Sequence, residues 1–232
     1  MGISLAIEGI DGSGKRTLAE NLKAKFESIG LESEIISFPR HKEEFSGELV
    51  DKFLYEGLKF NDDEYKAVRE GMLYAIDRMV SLGRIRENGK SKLDEYNENK
   101  LMIFDRYLSS NFIHRCNNME DKELISYIRT MEYIEFGLLG LPQPDITLVL
   151  LVKPEVSYKN ILNRGRETDE NETLENLTKS YCNLLKLCNL KGYITIDCCK
   201  KNSENEYEML TREEILEKAW EALGIPDSVN NK

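Results

Sequence analysis

An apolar run, Ile3-Ser4-Leu5-Ala6-Ile7-Glu8, meets a glycine-rich turn, Gly9-Ile10-Asp11-Gly12-Ser13-Gly14-Lys15-Arg16-Thr17, and passes directly into a helical pattern, Leu18-Ala19-Glu20-Asn21-Leu22. Strand, loop and helix in that order form the layout of a phosphate-binding loop. Gly9, Gly12 and Gly14 let the backbone turn its N–H groups inward around phosphate oxygens, with Ser13 among them. The helix that follows aims the positive end of its dipole at the same point. Lys15 adds a mobile cation for β- and γ-phosphates. After Gly-x4-Gly-Lys the pattern expects a Ser or Thr that helps hold Mg²⁺. Arg16 stands there instead, and Thr17 follows, turned by about 100° on the helix, so it does not simply replace the missing hydroxyl. The bland alternative is a chance glycine-rich turn between a strand and a helix.

Four more apolar runs read as strands: Glu34–Phe38, Leu101–Phe104, Ile146–Val152 and Tyr193–Ile196. Short continuous runs of this kind fit a parallel sheet buried on both faces. Between them, helical patterns cover Thr17–Ser28, Asp63–Ile85, Lys122–Gly137, Val156–Arg164, Glu172–Leu190 and Arg212–Leu223. Alternation of strands and helices predicts an α/β fold with a doubly wound parallel sheet. The polar stretches Glu87–Lys100, Gly165–Asn171 and Lys200–Glu208 read as exposed connections, and no repeat or domain boundary interrupts the chain. The expectation is one domain over residues 1–226, with a tail at 227–232 that frays.

The chain has 232 residues, 41% of them hydrophobic, enough for a sizeable core. Its net charge of −10 argues against a general nucleic-acid binder, though a local cluster of Arg and Lys can still hold a nucleotide. No apolar run reaches membrane-spanning length, and the start lacks a charged segment followed by an apolar one, so no membrane partner and a cytoplasmic location are expected. The five cysteines, Cys116, Cys182, Cys188, Cys198 and Cys199, form no pair of Cys-x-x-Cys units. Reduced thiols are the expectation, with a redox-active Cys198-Cys199 pair as the alternative.

Several constellations fall beyond the carboxyl ends of strands, where parallel sheets bind ligands. Asp105-Arg106-Tyr107 follows the third strand: Asp105 either orients Mg²⁺ and Arg106 holds a phosphate, or the two form a salt-bridged strand end. Phe38-Pro39-Arg40 follows the second strand, and Arg40 is a phosphate ligand or an exposed loop residue. Tyr74 and Arg78, four apart on one helix face, present a ring and a guanidinium to a planar ligand, or else a core aromatic and an ordinary ion pair. Arg164-Gly165-Arg166 suits a lid that clamps transferring phosphates, or a helix end with cations that favour the dipole.

In this order and spacing, these motifs, together with Asp77-Arg78, Ser110-Asn111 and Gly140-Leu141-Pro142-Gln143-Pro144-Asp145, resemble the thymidylate kinase family from about Ile3 to Leu223; the Gly-Lys-Arg-Thr form of the loop is similar to mycobacterial members. The resemblance implies ATP-dependent phosphoryl transfer to dTMP, a need for Mg²⁺, a five-stranded parallel sheet of the P-loop kinase type, a mobile lid near residues 163–172, and a homodimer. By the same resemblance, Lys15 and Arg16 face the donor phosphates along the loop formed by Gly9, Gly12, Ser13, Gly14 and Thr17. Asp11 sits between donor and acceptor phosphates, and Arg40 and Arg106 hold the acceptor phosphate next to Phe38. Tyr74 stacks on the base, Arg78 reads it, and Ser110 and Asn111 meet the pyrimidine edge. Arg166 is the lid arginine, and Glu172 is an acid following the lid; Asp11, Asp105 and Glu172 are the implied metal ligands.

Three positions depart from the family pattern. His114 stands where mycobacterial-type members carry a tyrosine near the sugar. Gly12 occupies a position where some relatives place a catalytic arginine, which moves the cationic role to Arg16, Arg164 and Arg166. The lid itself carries few arginines, since Glu167-Thr168-Asp169-Glu170 follows Arg166. His41 reads as a surface residue. Two rival functions remain at this level: a kinase for another nucleoside monophosphate, and a nucleotide-binding module without catalysis.

Overall fold

A computed structural model of the protein describes residues 2–41, 45–56, 58–61, 65–83, 85, 88–97, 100–116, 119–165 and 172–225. At its centre is strand β1 (Ser4–Gly9), buried at all six positions. The other strands of the main sheet are β2 (Ser33–Ser37), β3 (Leu101–Asp105), β4 (Ile146–Leu151) and β5 (Ile194–Asp197). They run parallel in the order β2-β3-β1-β4-β5. Ala6 lies in register with Phe104 on one side and Thr147 on the other.

Successive side chains of a strand point to opposite faces, so the sheet divides its apolar residues into two cores. Ala6, Ile36, Met102 and Phe104 face one of them, with Ala75, Leu82, Phe112, Ile113 and Leu184 from helices. Leu5, Ile7, Ile103, Leu148 and Leu150 face the other, with Leu18, Leu22, Phe26, Ile215 and Trp220. The second layer is built by α1 (Lys15–Ser28) and α9 (Arg212–Leu223). The first layer includes α3 (Lys66–Gly83), α5 (Leu108–Arg115), α6 (Asp121–Glu132) and α8 (Leu174–Lys191). Helices on both faces of a parallel sheet make the doubly wound arrangement that the alternation of strands and helices predicts.

The strand bounds agree with the sequence expectations to within two residues, because buried parallel strands are continuous apolar runs. Helix α7 (Pro154–Leu162) begins two residues before the expected Val156, with Pro154 in its first turn, where a missing N–H costs nothing. Helix α9 has its expected bounds, set by a Thr211/Glu214 capping box and Gly224 in the left-handed region.

Some elements differ from expectation. The connection before β3 contains helix α4 (Lys92–Asn97), which buries Tyr96 and accepts the Gly2 N–H on the Tyr96 carbonyl at 2.8 Å. The stretch read as a solvated linker at 200–208 is part of an antiparallel hairpin, β6 (Cys199–Lys201) with β7 (Tyr207–Met209). Asn202 closes its turn by accepting the N–H groups of Glu204 at 3.0 Å and Glu206 at 2.9 Å. Helix α2 (Phe45–Tyr55) and helix α5 were not expected at all. After α6 the chain widens into a π-helical turn, Tyr133–Leu138. Residues 166–171 of the expected lid, and the expected tail at 227–232, lie outside the described residues.

Candidate active site

The loop between β1 and α1 stands at the carboxyl edge of the sheet. Gly12 has φ 80°, and a Cβ there would lie 2.4 Å from the Ser157 carbonyl oxygen of α7. A side chain at that position would require the loop or α7 to shift. Gly14, at φ 86°, starts α1 from the left-handed region. The Lys15 ammonium donates to the carbonyls of Gly9 at 2.9 Å and Ile10 at 2.8 Å, and burial lowers its pKa to about 8. Arg16 leans away from the loop: Nε meets Glu20 at 2.7 Å, and Nη1 donates to Ser37 Oγ at 2.6 Å. Ser37 in turn donates to Asp105 Oδ2 at 3.1 Å, so the hydroxyl at the end of β2 joins Arg16 to the carboxylate at the end of β3.

Arg106, just past β3, has φ 66° and donates its backbone N–H to Ile7 at 3.1 Å. Its Nη2 donates to Asp11 Oδ1. Burial of Asp11 opposes ionisation and is the largest single effect, but Arg106, His114 and Lys15 together outweigh it and hold the carboxyl well below the usual range. Burial likewise opposes the charge on Arg106, and Asp11 and Asp105 overcome it and raise its pKa.

Two cavities open on this loop. One, of about 240 Å³, is lined by Asp11, Phe38, Tyr74, Arg78, Arg106, Ser110, Asn111, His114, Arg164 and Glu172, among others. The other, of about 380 Å³, is lined by Gly12, Gly14 and Thr17 of the loop and α1, by Asn160 and Arg164, and by Met209 and Arg212 from the hairpin and α9. Asp11 faces the first cavity and Gly12 the second, while Arg164 lines both. His41, read as a surface residue, is exposed and lines the mouth of the first cavity, where its Nδ1 pairs with Asp51. Arg40 is not part of that lining; its backbone N–H donates to Asp77 at 2.9 Å. Lys15, Arg16 and Asp105 lie by the loop rather than in the first cavity's wall. Arg166 lies outside the described residues.

Within the first cavity the side chains are held by partners that the sequence does not announce. Arg78 is 1% exposed and donates through Nε and Nη2 to both oxygens of Glu135, at 2.7 and 2.5 Å. Glu135 reaches it from the π-helical turn, a distortion often found beside functional sites. The Tyr74 hydroxyl accepts from Arg115, whose guanidinium also lies 4.8 Å from the Phe53 ring centre. The Ser110 hydroxyl donates to Glu8 at 2.7 Å. Glu8 is fully buried and also accepts the backbone N–H groups of Tyr107 at 2.8 Å and Ser110 at 3.2 Å. A carboxylate from β1 thus caps α5, and burial raises its pKa against these bonds. Glu8, Arg115 and Glu135 were not among the site residues expected from the sequence. Glu8 alone left a signal, as a charged residue inside an otherwise buried strand.

Among the described residues no group of three His, Cys, Asp or Glu side chains is placed to hold a metal ion. Of the expected metal ligands, Asp11 accepts from Arg106, Asp105 accepts from Ser37, and Glu172 lies 3% exposed with Arg164 Nη1 at 3.9 Å. One or two carboxylates suit Mg²⁺, which keeps several waters and takes phosphate oxygens for the rest of its shell. All five cysteines are free thiols, and burial pushes Cys198 up to about 12, so the Cys198-Cys199 pair is poor in thiolate.

A parallel sheet with a glycine-lysine loop after its central strand, and two cavities meeting at that loop, defines a nucleotide-binding protein of the P-loop class. The chain matches the model of the thymidylate kinase family over residues 7–209, and it belongs to that family. It is 29% identical to the thymidylate kinase of Mycobacterium tuberculosis over 162 residues, 70% of this chain and 71% of that one. It is 27% identical to a probable thymidylate kinase of Pyrococcus horikoshii over 189 residues, 82% and 84% of the two chains. The structure of thymidylate kinase from Candida albicans matches in fold with a TM-score of 0.64 at 20% identity, covering 98% of this chain and 96% of that one.

Proposed function

We propose that this protein transfers the γ-phosphoryl group of ATP to dTMP, giving ADP and dTDP. The observation that carries the reading is the meeting of the two cavities at Asp11, Gly12 and Arg164, within a chain of this family. A donor in the cavity beside Thr17 and an acceptor in the cavity beside Tyr74 bring their phosphates together at that junction.

Phosphoryl transfer asks little covalent chemistry of a protein; it asks that two charged phosphates be aligned and neutralised. Lys15 and the loop N–H groups serve the donor, with Arg16 at the loop's edge. Arg106 and Arg40 serve the acceptor phosphate, and Asp11, which accepts from Arg106, keeps its guanidinium turned toward the junction. Tyr74, Arg78, Ser110 and Asn111 form the base end of the acceptor site. Arg164 spans the junction, and Arg166 on the lid near 163–172 adds the cation that the loop lacks at Gly12. Asp11 or Asp105 would hold Mg²⁺ together with the phosphates, and the ion would supply positive charge against the phosphate oxygens. Residues 1–226 act as one catalytic unit, and the working form is a cytoplasmic homodimer. Among the described residues no helix is long and apolar enough to cross a membrane.

The test is a coupled ADP-release assay with a panel of nucleoside monophosphates. dTMP is expected to react fastest, and dUMP to be weakened and not abolished, since one methyl contact is worth about 1–3 kcal/mol. Faster turnover of AMP, CMP or GMP would overturn the assignment.

A further inference from the structure

We propose that His114 is a positioning residue: together with Ser180 it sets the orientation of the Arg106 guanidinium. Arg106 Nη1 lies 3.3 Å from His114 Nε2, while Nη2 is bound to Asp11. An arginine has only N–H donors, so the imidazole must accept at Nε2 and carry its proton on Nδ1. His114 Nδ1 lies 3.4 Å from Ser180 Oγ, which then accepts. The direction of every bond is thereby fixed, and a continuous polar chain runs from Ser180 on α8, through His114 on α5 and Arg106 after β3, to Asp11 in the phosphate loop. Two acceptors, a carboxylate on one terminal nitrogen and an imidazole on the other, fix the plane of the guanidinium as one acceptor alone does not.

The surroundings support a structural acceptor rather than a titrating group. Burial lowers the His114 pKa to about 3, with Arg106, Lys15 and Arg115 adding to the effect against Asp11. The neutral ring is the form that accepts from arginine; an imidazolium would turn a donor toward a donor. Ser180 is itself buried, and one turn further along α8 Asn183 donates to the Ile113 carbonyl at 3.1 Å, so the two helices are joined on either side of the ring. His114 therefore acts on the substrate phosphate at one remove, through Arg106. The inference rests on the proposed role of Arg106 at the acceptor phosphate.

Calorimetry with dTMP and with thymidine, which lacks the phosphate, tests this in the full chain. His114→Phe, which keeps a ring and removes the acceptor, is expected to weaken dTMP binding about tenfold, the scale of one hydrogen bond to a charged group. Thymidine binding, which His114 can touch only through the cavity wall it lines, should fall by a clearly smaller factor. His114→Gln, whose side chain can accept from Arg106 and donate to Ser180, should restore dTMP affinity, and Ser180→Ala should weaken dTMP in the same selective way by a smaller factor. Equal losses for dTMP and thymidine, or no loss for dTMP, would overturn the proposal. If His114→Phe fails to fold by circular dichroism, the Gln and Ser180 variants decide by the same ratio. Arg106→Ala separates the two levels of the argument. If it leaves dTMP affinity intact, the acceptor-phosphate role itself fails. If it weakens dTMP while the His114 and Ser180 variants do not, only the positioning role fails.

Discussion

His114 makes the stability of this protein depend on pH in a way that can be worked out in advance. In the unfolded chain an exposed histidine titrates near 6.5, and in the fold the same group titrates at about 3. Across that window the unfolded chain binds a proton that the folded protein refuses, so stability is fully present above 6.5 and is lost as the pH falls toward 3. The limiting slope is about 1.36 kcal/mol per pH unit. Integrated from about pH 7 to about pH 5, where the unfolded site goes from mostly neutral to almost fully protonated, the loss is about 2 kcal/mol. Moving the folded value up by one unit barely alters this figure, because the folded site is still neutral at pH 5. Urea denaturation followed by the single tryptophan, Trp220, buried against Phe26, reads the transition. Comparison with His114→Gln cancels every other titrating group, and the wild type should lose about 2 kcal/mol more than the variant between the two pH values. Equal losses in the two proteins would show that the folded imidazole takes up its proton as readily as the unfolded one, and the argument from burial would be wrong.

Three other outcomes are expected. Arg106→Ala should weaken dTMP binding by about 2–4 kcal/mol in calorimetry while ATP binding changes little, because a charged contact to the acceptor phosphate is lost. Glu135→Ala should cost about 3–5 kcal/mol of stability in denaturant titration, since it leaves the buried Arg78 charge without its carboxylate; a cost below about 1 kcal/mol would mean that water reaches Arg78. Arg166→Ala should lower kcat by about 10²–10³-fold with little change in either KM, as for a cation that acts in the transition state; steady-state kinetics that retain more than about a third of wild-type kcat would make it an ordinary helix-end cation.

What the sequence revealed follows from where the information lies. The strands and the phosphate loop are local patterns: Leu101–Asp105 and Ile146–Leu151 are apolar runs that only a buried strand accommodates, and Gly12 and Gly14 are turn residues at fixed offsets. The cavity residues Tyr74, Arg78 and Asn111 were legible through the order of motifs along the chain. Helix α5 was not, because its first turn has no local cap; Tyr107 precedes it, and the capping carboxylate comes from Glu8, 99 residues away in sequence. Glu135 was hidden for a similar reason. An ordinary helical period through Tyr133–Leu138 does not reveal the π-helical turn in which Glu135 meets Arg78. Arg115 reads as a cation at a helix end, and only the fold brings Tyr74 and Phe53 to it. The hairpin at 199–209 rests on Asn202, whose side chain turns a polar stretch that composition alone makes look like solvated linker.

The strand order has a consequence for the chain as it is made. β1 pairs with β3 and β4, β2 pairs with β3, and β5 pairs with β4. All four pairings require residue 101 or later. At ribosomal rates of about 5–20 residues per second, the strand that carries the nucleotide loop is exposed for roughly 5–20 s before its first partner has been synthesised. Until then its two apolar faces have only helices beside them, α1 on one side and α3 on the other, and a parallel pairing across so long a loop is slow to close. A nascent chain stopped before Leu101 holds none of the sheet's strand pairs, so the first strand to be translated waits for the middle of the sequence, and the phosphate loop takes its shape only afterwards.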